Sequence, residues 1–285
     1  MKMSILMVFL PACDASSAES QPSHLNRAES DKSESVDKST IASGIVNLPT
    51  EPPGSEPLII RNNLPIEGVR AKQQGVDWKG LLFQSSYFLL IEQGFRLGTQ
   101  PGTRAALEGE FFDDWFKSVK STKGWGDGDD FLTNYIGHPM QGSVTANIFV
   151  QNDPRGRNQV FGWNSEYWNS RLKATAWSAV YSTQFELGPI SEASLGNVGY
   201  QGKSQSGAVD LVITPIAGLG WQVGEDAIDK YLIVKIETWT RNPVILMLAR
   251  SVLNPTRSFA NTMRMTVPWA RDTRPGIWKG RPNNR

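Results

Sequence analysis

Apolar residues between positions 75 and 275 recur with helical spacing, and no turn dipeptide stands between two alternating strand patterns. The segment 165–187 shows the helical period most clearly and stops at Gly188-Pro189. Its periodic apolar positions are Trp168, Leu172, Ala176, Ala179 and Val180. We therefore predict an all-α fold, a bundle of five to seven apolar helices, some of them broken by Pro or Gly.

Further helices are predicted from the apolar runs 76–93, 111–119, 129–150, 209–240 and 243–265. The fourth run is expected to be interrupted around Thr214-Pro215 and Gly218–Gly220, and the fifth near Asn254-Pro255. The run 76–93 is too apolar for a one-sided surface helix and too short to span a bilayer, so it is expected to be buried on most sides.

The N-terminus combines an apolar run from Met3 to Ala12 with Cys13, the only cysteine of the 285 residues. This order is typical of a bacterial lipoprotein signal, in which the cysteine is lipidated and becomes the mature N-terminus. We therefore predict a signal peptide over 1–13, lipidation of Cys13 and a location in the cell envelope, lipid-anchored or periplasmic. Cleavage near Ala15–Ala18, which would remove Cys13, and a cytoplasmic chain with an apolar start are the alternatives.

Three further regions follow from composition. Residues 14–74 are rich in Ser, Glu, Asp, Lys and Pro and nearly free of aromatic residues, which predicts a disordered tether. Residues 75–275 are then one helical domain, and 276–285 a basic tail.

The net charge of +1 hides a basic C-terminal part, in which residues 241–285 hold nine basic residues and one acidic residue, Asp272. Four arginines there recur at intervals of seven: Arg250, Arg257, Arg264 and Arg271. They are open to three interpretations: solvated surface charge, contact with the phosphates of anionic lipid, or ion pairs with Glu225, Asp226 and Asp229.

Ten tryptophans suit either a core or the headgroup level of a membrane. No segment reaches the roughly 18 uninterrupted apolar residues of a spanning helix. The predicted partner is a membrane surface, with anionic lipid as the specific candidate. No nucleic-acid partner is predicted, and a protein partner stays unspecified.

The candidate chemistry centres on His138, because the other histidine, His24, lies in the tether. Pro139 follows it directly, and Gly137 and Gly142 allow another backbone to approach. Carboxylates in apolar helices need partners, so we predict that His138 meets Glu186, Asp210, Thr214 and Glu225 in space. A lone histidine serves either as a structural hydrogen-bonding group or as a general base, here oriented by Glu186 or Glu225. The wider binding or structural cluster is predicted to be Asn134, Asp210, Thr214, Arg250 and Arg257.

Other chemistries find little support in the sequence. There is no phosphate loop, no dinucleotide fingerprint, no paired-cysteine motif and no Gly-x-Ser-x-Gly elbow. A zinc or iron site would have to draw all its ligands but one from carboxylates. We therefore predict no cofactor and no metal.

The residues around these positions also resemble a family. The order Asn134-Tyr-Ile-Gly-His-Pro139, then Glu186 with Pro189-Ile-Ser191, then Asp210-Leu-Val-Ile-Thr-Pro-Ile-Ala-Gly218 is similar to an uncharacterised bacterial envelope protein family with N-Y-x-G-H-P, P-S and D-x-x-x-T-P-x-x-G blocks. Phe185 stands where that family has Trp, and 195–209 reads as an inserted loop. The resemblance covers about 131–229 and implies a helical, membrane-associated envelope protein with a polar cluster, without implying a reaction.

Two functions follow as alternatives. The first is an envelope lipoprotein or membrane-surface helical module whose polar cluster is structural or binds a ligand. The second is a hydrolase acting on lipid or cell-wall material, with His138 as base and a carboxylate to orient it. The hydrolase requires His138 to face an open pocket, whereas the structural role encloses it in hydrogen bonds.

Overall fold

The computed structural model describes residues 75–127, 129–198, 207–274 and 276–277. Four predicted features lie wholly or partly outside these ranges: the signal peptide, lipidation at Cys13, the tether over 14–74 and the basic tail, of which 278–285 are not described. Within the described ranges all regular structure is helical, which confirms the predicted all-α class.

The described helices are α1 (Trp78–Thr99), α2 (Pro101–Ala106), α3 (Phe111–Ser121), α4 (His138–Asn152), α5 (Ser165–Leu187), α6 (Glu192–Leu195), α7 (Val209–Ile228), α8 (Val234–Trp239), α9 (Pro243–Val252) and α10 (Pro255–Met263). Two π-helical turns extend them: the first π-turn, Thr133–Gly137, leads into α4, and the second, Asp229–Ile233, joins α7 to α8.

Helix ends follow local chemistry. Asp77 caps α1 by accepting the Gly80 backbone N–H, and Asn164 caps α5 by accepting that of Tyr167. α5 ends at Leu187, directly before Gly188-Pro189, as predicted. The break expected at Asn254-Pro255 is present, since α9 ends at Val252 and α10 begins at Pro255.

The expected interruption of α7 at Pro215 and Gly218–Gly220 was wrong. α7 runs unbroken through Pro215, and the irregular stretch is the second π-turn further along. Tight packing on α4 holds α7 helical there, although Pro215 has no N–H to donate to the preceding turn.

The core is built around α4, which is buried along most of its length and packs against α1, α5, α7 and α10. Leu81, Phe88, Ile148, Phe149 and Ala260 belong to the apolar cluster that these helices share. The side chains of α4 thus face helices on several sides, and polar groups on it must find partners inside the protein.

α4 and α7 approach each other backbone to backbone. A Cβ on Gly142 would overlap the carbonyl oxygen of Thr214, and one on Gly218 would lie 2.9 Å from the carbonyl carbon of Gly142. Only glycine fits at such a crossing. Gly142 of α4 and Gly218 of α7 therefore allow the backbones of the two helices to touch at this point.

The outward and inward faces of α5 are unusual. The apolar residues whose period predicts this helix include Leu172 and Val180, which are exposed. The buried side carries Arg171, Ser178 and Ser182 beside its aromatic residues. The helical period of the apolar residues thus predicts α5 correctly. The polarity of the residues does not show which side of the helix is buried.

Candidate functional site

On each of α4, α5 and α7, residues spaced one helical turn apart form a row, and the three rows face one another. The row of α4 is His138 and Gly142, and that of α7 is Asp210, Thr214 and Gly218. The row of α5 consists of Ser178, Ser182 and Glu186. The Ser178 hydroxyl donates to the carbonyl of Gly142 at 3.1 Å, and the Ser182 hydroxyl to that of Asp210 at 3.1 Å. These bonds set the register of α5 against both neighbours.

His138, Glu186 and Asp210 meet where these rows end, and we call these three residues with their bonded neighbours the histidine cluster. One ligand atom from each of the three lies within 4.8 Å of the other two. Nε2 of His138 is 3.5 Å from Oδ1 of Asp210. The imidazole is 10% exposed and the Asp210 side chain 7%, so the meeting point is enclosed by protein.

The other ring nitrogen of His138 is oriented by a chain of hydrogen bonds. Nδ1 lies 3.2 Å from Oε1 of Gln141, whose amide nitrogen donates to Glu92 at 3.0 Å. Tyr181 donates to the second oxygen of Glu92 at 2.6 Å. Because Gln141 presents its oxygen to the ring, Nδ1 is the nitrogen that carries the proton, and Nε2 presents a lone pair towards Asp210.

Burial governs the protonation of this cluster. It lowers the pKa of His138, which favours the neutral imidazole. Burial, followed by the neighbouring Asp127, raises the pKa of Asp210 to about 9. Burial and then the charges of Glu192 and Asp210 raise the pKa of Glu186 well above its ordinary value. Asp210 therefore retains its proton at neutral pH, and burial favours the protonated form of Glu186 as well.

Asp127 extends the cluster behind Asp210. Its Oδ1 accepts the Asn134 amide at 2.9 Å and the backbone N–H of Asp129 at 2.9 Å. Although burial acts in the opposite direction, hydrogen bonds from Asp210, Asn134 and Asp129 lower the pKa of Asp127. The ionised form is thus favoured for Asp127 and the protonated form for Asp210.

One cation stands beside these acids. Arg96 of α1 forms an ion pair of 2.5 Å with Glu192 at the start of α6. Both charges act on His138 and Glu186 through space. The Arg96–Glu192 pair thus joins α1 to α6 close enough to the cluster to influence its charges.

The structure separates the predicted site residues into two groups. His138, Glu186 and Asp210 come together, and Asn134 joins them through Asp127. Thr214 lies one turn along α7 from Asp210, fully buried at the crossing with Gly142.

Glu225 does not belong with them. It follows Asp210 by fifteen residues on α7, roughly 22 Å along a helix. Its carboxylate accepts the backbone N–H groups of Thr256 and Arg257 at 2.9 and 3.1 Å, at the start of α10. Glu225 therefore caps a helix and does not orient His138.

Two of the predicted arginines, Arg257 and Arg271, lie in a second group, the arginine cluster, which also contains Arg171, Arg274, Asp226 and Asp229. Asp226 pairs with Arg171 at 2.7 Å and with Arg257, and accepts the Tyr167 hydroxyl at 2.8 Å. Asp229, at the second π-turn, pairs with Arg271 at 2.9 Å and with Arg274 at 2.6 Å.

Two more of the seven-spaced arginines are also paired. Arg250 pairs with Glu237 at 2.8 Å and Arg264 with Asp272 at 3.2 Å. All four arginines are therefore ion-paired, but only Arg257 and Arg271 pair with the predicted acids Asp226 and Asp229.

Several residues in and around the histidine cluster were not predicted from the sequence. Glu92 and Gln141 had a visible signal, because each is a polar residue inside an apolar helix. Asp127 lies in a glycine-rich loop before α4, where nothing in the local sequence distinguishes a buried acid from a solvated one. Arg96 and Glu192 become neighbours only through the packing of α1 against the rest of the bundle.

The arrangement limits the chemistry available. An enclosed imidazole with a lone pair on Nε2 and two adjacent carboxyl groups can hold a shared proton or a small cation. Comparisons with protein-family models, with curated proteins and with solved structures each find no match. The resemblance to the envelope family stays a prediction, and function has to be argued from the geometry.

Proposed function

We propose that this protein is a membrane-surface module of the cell envelope, which contacts an anionic bilayer through helices α8 and α9. The observation that carries the proposal is the outer face of α9. All exposed residues of this helix are aliphatic, namely Val244, Ile245, Leu248 and Val252. An aliphatic face of this kind is costly to leave in water, at about 25 cal/mol for each Å² of apolar surface.

α8 packs beside α9 and also exposes apolar side chains, Val234 and Trp239. Trp239, at the end of α8, is 72% exposed. The exposed residues of these two helices, with Lys235 and Arg241, are called the α8–α9 surface. The Lys235 ammonium lies 5.0 Å from the centre of the Trp239 ring, and Arg241 is exposed just before α9 begins.

A tryptophan and basic residues at the rim of an aliphatic face are typical of a segment that lies in the interface of an anionic membrane. Within the described ranges, no helix combines the length and the apolar character needed to cross a bilayer. We therefore assign lipid contact to the surface of the bundle, and a structural or ligand-binding role to the histidine cluster inside it.

The hydrolase alternative receives less support from the geometry. A general base must reach a substrate proton, and the His138 imidazole is enclosed, with Nδ1 bonded to Gln141 and Nε2 directed at Asp210. The histidine cluster is therefore not part of the proposed lipid contact.

Two matched leucines test the membrane contact. Leu248 on α9 and Leu172 on α5 are each 57% exposed, but Leu172 lies among the exposed residues Glu166, Asn169 and Lys173. In the full chain with Cys13→Ser, Leu248→Asp should weaken sedimentation with phosphatidylglycerol-containing vesicles at least about tenfold, and Leu172→Asp should leave it unchanged. Equal losses, or no vesicle binding by the parent chain, would contradict the proposal.

A further inference from the structure

The histidine cluster carries an inference that is independent of membrane contact. We propose that His138, Glu186 and Asp210 form a binding site for one divalent transition-metal ion, such as Zn²⁺, ligated by Nε2 of His138 and by a carboxylate oxygen from each acid. This reverses the expectation from the sequence that no metal is bound. The three ligand groups come from three different helices, α4, α5 and α7, and only the packing of these helices brings them together.

The distances suit a single ion after a small contraction. Zn²⁺ lies about 2.0–2.2 Å from nitrogen and carboxylate ligands, so two ligand atoms on one ion are about 3–4 Å apart. Nε2 of His138 and Oδ1 of Asp210 are already 3.5 Å apart, and the separations within the whole set are at most 4.8 Å. Among the described residues, His138, Glu186 and Asp210 are the three potential metal ligands whose atoms lie this close to one another.

Unsatisfied buried atoms point to a ligand at the same place. Oδ1 of Asp210 is buried without a hydrogen-bond partner, on a side chain only 7% exposed, and Oε1 of Glu186 is likewise buried and without one. Leaving such acceptors unpaired costs about 1–3 kcal/mol each. A cation between them and the lone pair of Nε2 would satisfy all three atoms together.

The surroundings resemble the outer shell of a metal site. A ligating histidine generally donates its other N–H to a fixed acceptor, which sets the ring orientation. Gln141 supplies that acceptor at 3.2 Å and is itself held by Glu92. Asp127 lies next to Asp210 and is fixed by the Asn134 amide. The ion would displace the protons that Asp210 and Glu186 hold in its absence, and the two resulting carboxylates with a neutral imidazole would balance the charge of a divalent ion.

The close contact between the backbones of α4 and α7 holds the proposed ligands in place. His138 precedes Gly142 by one turn, and Asp210 precedes Thr214 by one turn, at the contact where no Cβ fits. Glu186 is held by the hydroxyl row of α5, through Ser182 on the carbonyl of Asp210. Three protein ligands leave a coordination position open for water or for an anionic group of a ligand.

The chain contains a matched control, because it has only two histidines. Untagged full-length protein, stripped with EDTA and without vesicles, is titrated with Zn²⁺ in a calorimeter. The parent chain and His24→Gln should each bind one ion, whereas His138→Gln should bind it more than about 100-fold more weakly. Helix content from circular dichroism is compared throughout.

A second pair of carboxylates decides the matter if His138→Gln does not fold. Glu186→Gln should lose the ion, and Glu225→Gln, which changes a buried acid of α7 that caps the start of α10, should retain it. Absence of one-to-one binding by the parent chain, retention of the ion by His138→Gln or by Glu186→Gln, or its loss on Glu225→Gln would each overturn the proposal. Since no membrane is present, failure here leaves the membrane proposal standing.

Discussion

His138 and Asp210 face each other beside the closest approach of α4 and α7, with Nε2 of the imidazole 3.5 Å from Oδ1 of the carboxyl group. Each residue lies one helical turn before the contact between Gly142 and Thr214. The polar cluster and the tightest packing of the bundle are therefore parts of one arrangement, and a change in the second should disturb the first.

A methyl group at the crossing tests this relationship. Gly142→Ala should destabilise the protein by about 1–3 kcal/mol or more, because the added Cβ overlaps the carbonyl oxygen of Thr214 and backbone must move. Gly220→Ala on α7 is the control, since nothing lies within 4 Å of its Cβ. That change should stabilise the helix by about 0.5–1 kcal/mol. Chemical denaturation measures both, and equal effects of the two changes would argue against a backbone contact.

Glu92 should make stability depend on pH. Burial chiefly raises its pKa from 4.5 to about 8, so the folded protein keeps a proton that the unfolded chain releases. The resulting stabilisation is complete below pH 4.5 and is lost as the pH rises to about 8, by up to about 1.4 kcal/mol for each pH unit.

Glu92→Gln removes this titration. Urea unfolding with EDTA at pH 5 and pH 8 should show a smaller loss of stability for the variant than for the parent chain. An identical loss in both would mean that Glu92 does not titrate in this range.

The arginine cluster should contribute to stability. Asp226→Asn leaves Arg171, which is only 1% exposed, without its carboxylate, and breaking such a buried pair costs about 3–5 kcal/mol. Asp272→Asn breaks the more exposed pair with Arg264 and should cost less than about 1 kcal/mol. Thermal melts compare the two variants. If Asp226→Asn instead weakened vesicle binding at unchanged stability, lipid contact by these arginines would be the better interpretation.

The sequence predicts most helices and few of their buried sides. The run 76–93 was expected to be buried on most sides, which was wrong, since α1 exposes Trp78, Leu82, Phe83 and Leu90. Period and capping residues locate α5 to its last residue, because both depend on local backbone chemistry. Burial of Arg171 and exposure of Leu172 cannot be read from that pattern, since they depend on whether Asp226 stands opposite. Polar residues are buried where a partner exists, and partners come from distant parts of the chain.

The candidate site shows the same division. His138, Glu186 and Asp210 could be grouped from the sequence because carboxylates in apolar helices need partners. Glu225 was grouped with them by the same argument, but a backbone group, the start of α10, satisfies it. Helix N-termini offer unpaired N–H groups that a sequence pattern does not assign to any particular acid.

The contact of α9 with lipid is the central claim, and a fluorophore measures it most directly. In a Cys13→Ser background the chain has no other cysteine, so Leu248→Cys and Leu172→Cys can each be labelled at one position with a small environment-sensitive dye. With phosphatidylglycerol vesicles containing brominated acyl chains, the label at position 248 should be quenched and shifted to shorter wavelength, while the label at 172 stays in water. Equal quenching at both positions, or none at 248 although the protein sediments with the vesicles, would contradict the account.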